Sequence, residues 1–247
     1  SRGLGDVYKR QVPHWVRGEK EAAKITAKGK EMSVPICALG GSVATDANGT
    51  SAGVVEIKAW EELEKRSAEI KGKIVFYNRP MDATLMHTFK AYGGAVDQRW
   101  KGASEAVKHG AIGVVVRSVT TATDNNPHTG VMMYIDSTKK KIPACAISTM
   151  GADTLSALLK KDPSLKFFFK MNCKTLPDEK SHNVIAEVRG TEHPEEIIVI
   201  GGHLDAWDNG NGAHDDGAGI VQSMEVLHLF NTLGIKPKRT IRIVAFM

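Results

Sequence analysis

The chain has 247 residues with a formal net charge of +5, and its 42% apolar and 25% charged composition is that of an ordinary globular protein. It is long enough for one large or two medium domains, and no apolar stretch approaches the roughly 18 residues of a membrane span. The lysines are scattered, Lys139-Lys140-Lys141 being the longest run, with no interleaved aromatics. This excludes a nucleic-acid patch in favour of a solvated surface.

Residues 1–11, SRGLGDVYKRQ, resemble adaptor-derived read-through and are set aside from the fold; Arg2, Lys9 and Arg10 against Asp6 supply two of the five net charges. No signal-peptide pattern is present. Cys37, Cys145 and Cys173 are odd in number and form no C-x-x-C pair, so buried free thiols are the default, with one disulfide left open.

In chain order, residues 12–29 open on Pro13-His14-Trp15, with Trp15 a packing anchor, and read as helical over 19–28. A strand over 36–39 ends at Gly40-Gly41, and the turn-rich 45–53 is a candidate hinge. Residues 60–70 read as a surface helix with Trp60, Leu63 and Ile70 on one face and Glu61/Lys65 and Glu62/Arg66 as i,i+4 pairs. A strand over 73–77, a long irregular loop over 79–98, a helix over 100–109 and a buried strand over 111–116 follow. After the polar loop 120–130 come a strand over 142–147, a helix over 152–161 ended by Asp162-Pro163, and a strand over 166–173. Residues 175–178 read as a linker. Strands over 183–188 and 196–200 flank a turn, a helix over 217–233 turns Ile220, Val221, Met224, Leu227 and Phe230 inward, and a last strand covers 240–246. The alternation of strands and helices is α/β in character.

The chemistry concentrates in residues 197–219, IIVIGGHLDAWDNGNGAHDDGAG. An apolar β-branched run reads as a buried strand that stops at Gly201-Gly202 and delivers His203 and Asp205 to its C-terminal end, where open α/β sheets place their sites. Asp215 and Asp216 sit in a glycine-rich turn before the helix, whose N-terminal dipole favours their ionised forms. Imidazole and carboxylate are both good zinc ligands. Asp205 is placed to fix the His203 tautomer, and Asp215 to bridge two metals. An H-x-D alone is usually a capped loop, and Asp-Asp-Gly alone a solvated N-cap. The carboxylates of Asp205, Asp208, Asp215 and Asp216 also admit calcium, against which His203 argues.

G-G-H-L-D-A-W-D-x-G-x-G-A-H-D-D-G-A-G resembles the metal-binding signature of carboxypeptidase Q-like dizinc metallopeptidases, and the likeness extends through Pro237-Lys238-Arg239-Thr240 and back through most of the chain. The resemblance implies an α/β fold: part of a zinc-peptidase mixed sheet with flanking helices, plus an inserted α/β protease-associated domain. It implies His203 as a terminal ligand of one zinc, Asp215 bridging two zincs, Asp205 as the catalytic-site group supporting His203, and a cis Asp215–Asp216 peptide bond. The peptidase domain is expected over residues 12–33 and again over 179–247. The protease-associated domain is expected over 34–178, with the landmarks Gly72 to Pro80, Asn126 to Gly130 and Lys141-Ile142-Pro143. It carries no catalytic group, and His128 in its loop is not expected to bind metal.

The implied activity is zinc-dependent exopeptidase hydrolysis of small peptides, in a secreted or periplasmic protein with room for a homodimer. In the resembled family a glutamate pair, one the general base and the other a zinc ligand, follows the strand matching residues 241–246. None stands here before Met247, so the chain reads as an inactive fragment with two ligand residues of a larger set. A non-catalytic, receptor-like binding module built around a protease-associated domain is the rival reading.

Overall fold

The computed structural model describes residues 10–135 and 140–247. They form two compact units: Trp15–Leu176, and a second made of the described residues up to His14 together with Pro177–Met247. The expected adaptor-like tail lies outside the described residues as far as residue 9, as does Lys139. Arg10 and Gln11, by contrast, open strand β1 (Arg10–Val16).

The unit Trp15–Leu176 begins with strands β2 (Ala22–Ala27), β3 (Lys30–Ser33), β4 (Ile36–Ala38) and β5 (Thr50–Ile57). Helices α1 (Glu61–Lys65) and α2 (Ser67–Ile70) lead to β6 (Ile74–Tyr77). Helices α3 (Thr88–Gly93), α4 (Asp97–Trp100) and α5 (Gly102–Lys108) then lead to β7 (Gly113–Arg117), followed by β8 (Ala144–Ile147), α6 (Thr149–Lys161) and β9 (Lys166–Lys170). The eight strands form one sheet in the order β3-β2-β9-β5-β6-β7-β8-β4. Strands β5 to β8 are mutually parallel.

Alternation along these buried strands sorts side chains onto two faces. Val54, Ile74, Phe76 and Val115 pack with Ala152 and Leu155 of α6. Val55, Ile57, Val75, Tyr77, Val114 and Val116 pack with Leu63, Ile70, Ala103 and Ala106 of the other helices. Hence α6 covers one face, and α1, α2 and α5 the other.

Several expectations change here. The stretch 19–28 is not helical: Ala23 and Ile25 are buried while Ala22 and Lys24 are exposed, a period of two, and β2 pairs with the Phe167–Phe169 stretch of β9. A two-residue turn with Lys28 at φ +48° and Gly29 at φ +76° closes the β2–β3 hairpin. Because β2 and β3 extend the central sheet, this unit begins at Trp15 rather than at residue 34. The turn-rich 45–53 is no hinge, since β5 starts within it and pairs with β9. The helix over 60–70 breaks at Arg66 (φ −109°, ψ 17°), whose guanidinium bonds the Glu56 carbonyl at 2.7 Å. The loop 79–98 holds α3 and the start of α4, tied down by Ala91 and Ala95 against Met81 and Val119. All three cysteines are buried and unbridged.

The other unit contains β10 (Lys174–Ser181), β11 (Val184–Val188), β12 (His193–His203), α7 (Ala218–Thr232) and β13 (Arg239–Phe246). The expected linker 175–178 therefore lies inside a strand, which pairs with β1. Strand β13 is central, antiparallel to β11 and parallel to β12. Helix α7 is the crossover that a parallel pair requires. Two readings of burial fail. Ile197, Ile198 and Val199 are exposed, because β12 is an edge strand of a three-stranded sheet carrying one helix. On α7, Leu227 is buried, but Val221 is 64% and Met224 60% exposed. The sheet meets only the stripe through Ser223 and Leu227.

Candidate metal centre

The site forms where β12 ends beside the end of β13, with His203 paired opposite Phe246. Leu204 N–H continues the ladder to the Phe246 carbonyl at 2.7 Å, and from there the chain leaves the sheet. Gly212, at φ +62°, turns it back in the left-handed conformation that glycine adopts without steric cost. Its carbonyl accepts the Gly217 N–H at 2.8 Å, and a wide π-type turn, Ala213–Gly217, runs into α7. Within that turn Asp215 (φ −119°, ψ 93°) and Asp216 are not helical, and their peptide bond is cis, the form the resemblance implied.

This path brings His203, Asp205 and Asp215 together. His203 Nδ1 lies 2.9 Å from the Asp205 carbonyl oxygen and 3.3 Å from Asp205 Oδ1. Its Nε2 lies 2.9 Å from Asp215 Oδ1. The Asp205 carbonyl accepting at Nδ1 raises the basicity of the imidazole, partial burial works against this, and the Asp215 carboxylate adds to it. The His203 side chain is 35% exposed and that of Asp215 85%, so the pair faces solvent.

Sequence reasoning left Asp216 without a role, and the structure gives it one. Asp216 Oδ2 accepts the main-chain N–H of His203 at 3.3 Å. A Cβ on either Gly202 or Gly219 would collide with this carboxylate, so those two glycines were the signal in the sequence. His128 lies in the other unit, where its N–H bonds Ser118 Oγ.

The donor set fits a zinc ion. With Nδ1–H given to Asp205, the lone pair of a neutral imidazole is on Nε2, and Nε2 faces Asp215. A zinc taking both at bonds of about 2.0–2.1 Å in a tetrahedral arrangement would need them about 3.3 Å apart. The 2.9 Å pair would open by only a few tenths of an ångström. Asp205 on the far nitrogen is the acceptor that metal-binding histidines ordinarily have. Among the described residues, one trio of candidate ligands lies within 4.8 Å of one another: His193, Glu195 and Glu196, exposed at the opposite end of β12. Glu196 there is already ion-paired with Arg239.

Residues 183–247, which contain this strand–helix–strand unit with histidine and aspartate at the strand's C-terminal end, match Peptidase family M28. The chain is 42% identical to Carboxypeptidase Q of Xenopus laevis over 95% of its own length and 48% of that protein. It also resembles the crystal structure of a Peptidase M28 precursor from Shewanella amazonensis, with TM-score 0.87 and 38% identity, covering 98% of this chain and 55% of that one. An aminopeptidase from Aneurinibacillus sp. strain AM-1 shares the fold at TM-score 0.65 and 20% identity, covering 98% of this chain and 52% of that one. The chain is thus carboxypeptidase Q-like with a mixed α/β fold, and it spans about half the length of the curated relatives it matches.

Proposed function

We propose that the protein is a zinc-dependent exopeptidase of the carboxypeptidase Q type acting on small peptides, and that this chain holds the His203–Asp215 part of a two-zinc centre. One observation carries this reading: His203 is held at one ring nitrogen by Asp205 and presents the other to Asp215. In it His203 is a terminal ligand, Asp215 the bridge between metals, and Asp205 the group that orients the imidazole. Asp216 braces the strand end against the start of α7.

Bound zinc supplies Lewis acidity and a water of lowered pKa. The chain's own residues hold the ligand geometry: Asp205 keeps the Nδ1 proton in place, and the Asp216 carboxylate fixes the His203 backbone. The general base and the remaining ligands are supplied by other residues of the whole protein, and the present chain alone is inactive. The unit Trp15–Leu176 is, on this reading, a protease-associated domain with no catalytic group. The protein acts outside the cytoplasm; among the described residues no helix is long and apolar enough to cross a membrane.

The test is peptidase assay and zinc analysis of the whole protein carrying His203→Ala, Asp215→Ala or Asp205→Asn. The first two are expected to abolish activity, and Asp205→Asn to weaken metal retention by about 10–100-fold. Full activity in either alanine variant would refute the assignment.

A further inference from the structure

The last side chains that β5, β6 and β7 turn toward α6 are not apolar. One step after the core positions Val54, Phe76 and Val115, that face is taken over by Glu56, Asn78 and Arg117. Asn78 Nδ2 donates to Glu56 Oε1 at 2.6 Å, and Ser156 of α6 donates to the same oxygen at 2.8 Å. Arg117 Nη1 donates to Asn78 Oδ1 at 3.2 Å and to Asp153 of α6 at 2.6 Å. Lys58 Nζ lies 3.5 Å from Glu56. The chain of bonds runs from Ser156 through Glu56, Asn78 and Arg117 to Asp153, and so ties the three strand ends to α6 as a polar floor at the C-terminal edge of a parallel sheet, the place where such sheets bind ligands.

Above this floor is an open groove of about 480 Å³. Asn78, Arg117, Asp153 and Ser156 line it together with Lys58, Lys160 and Lys161, and Pro80 and Ala157 give it an apolar wall. Asp153 is the single carboxylate of the lining, and Arg117 already satisfies it. Lys160 and Lys161 have no carboxylate partner among the described residues. The last turn of α6 suits lysines through the helix dipole alone. The dipole does not account for a groove that gathers them with Lys58 and Arg117.

We propose that this groove binds a small organic polyanion, its anionic groups held by Lys58, Lys160 and Lys161 and its carbon frame against Pro80 and Ala157. The space exceeds what one inorganic oxyanion fills, and the apolar wall favours an organic frame.

The test is an amide-shift titration of the full chain at fixed ionic strength with citrate, phosphoglycolate and inorganic phosphate in separate arms. Citrate carries carboxylates alone and phosphoglycolate a phosphate beside one carboxylate, so their relative affinities show whether a phosphate group improves binding. The expected result is saturable binding of at least one of them, tighter than inorganic phosphate, with shifts centred on Lys58, Asn78, Arg117 and Asp153. Lys160→Glu/Lys161→Glu is expected to weaken it by about tenfold or more, a loss of about 1.4 kcal/mol. Lys90→Glu, outside the groove, is expected to leave it unchanged. If the double variant failed to fold, Lys58→Met would carry the comparison. Absence of saturable binding, equal binding of inorganic phosphate, or equal weakening by Lys90→Glu would overturn the proposal.

Discussion

Gly202 and Asp216 share one space: a Cβ on the glycine would collide with the carboxylate, whose Oδ2 accepts the N–H of His203 at 3.3 Å. The end of β12 and the turn before α7 are thereby locked together through the Asp216 side chain. Gly202→Ala should therefore cost about 1–3 kcal/mol of stability, the usual penalty for overpacking. Gly210→Ala in the same loop, where nothing lies within 4 Å of a new Cβ, should stay within about 0.5 kcal/mol. Urea unfolding of both variants checks this.

Helix α7 offers a second comparison. Leu227 is its buried leucine, and Leu227→Ala should cost about 2–5 kcal/mol. Met224 is exposed in this chain, and Met224→Gln should cost less than about 0.5 kcal/mol. Equal losses on thermal melting would mean that Met224 is packed.

The metal candidates were legible in the sequence because they are local. A strand end, an H-x-D and an Asp-Asp-Gly turn lie so close in sequence that the backbone alone brings His203, Asp205 and Asp215 together. Three of the four parallel strands, β6, β7 and β8, were legible too, as short apolar runs, whereas β5 was hidden by the turn residues at its start. What was not legible depends on distant partners. Residues 22–27 become a strand because Phe167 and Phe169 offer an edge to pair with. Burial on β12 and α7 depends on what stacks against them, so Ile198 and Val221 carry the composition of a core without its location. Helices α3 and α4 are too short to show a period. Asp216 was readable only through the two glycines that make room for it.

Glu56 gives a pH signature. Burial pushes its carboxyl upward, but hydrogen bonds from Asn78 and Ser156 and the charge on Lys58 outweigh this, and the group sits below the 4.5 ordinary for glutamate. A depressed folded-state pKa contributes stability that is complete above 4.5 and is lost as pH falls through the folded value. Glu56→Gln should lower stability at neutral pH and flatten its decline below that point. Denaturation series from neutral pH into the acid range check both.

The thiols give another. Cys37, Cys145 and Cys173 are buried, and burial pushes the Cys173 thiol up to about 11 and that of Cys145 well above its ordinary value. A thiolate-directed disulfide reagent should find none of the three reactive in the native chain and all three in urea. Fast reaction of the native protein would place a cysteine at the surface.

The most direct test of the metal assignment follows the imidazole nitrogens of His203 by NMR while zinc is added to the chain. The account predicts a weak, saturable displacement of the His203 Nε2 resonance that disappears in Asp215→Ala, whether or not His193 also responds. An unmoved His203 while zinc binds through His193, Glu195 and Glu196, or a His203 response that persists without Asp215, would contradict it.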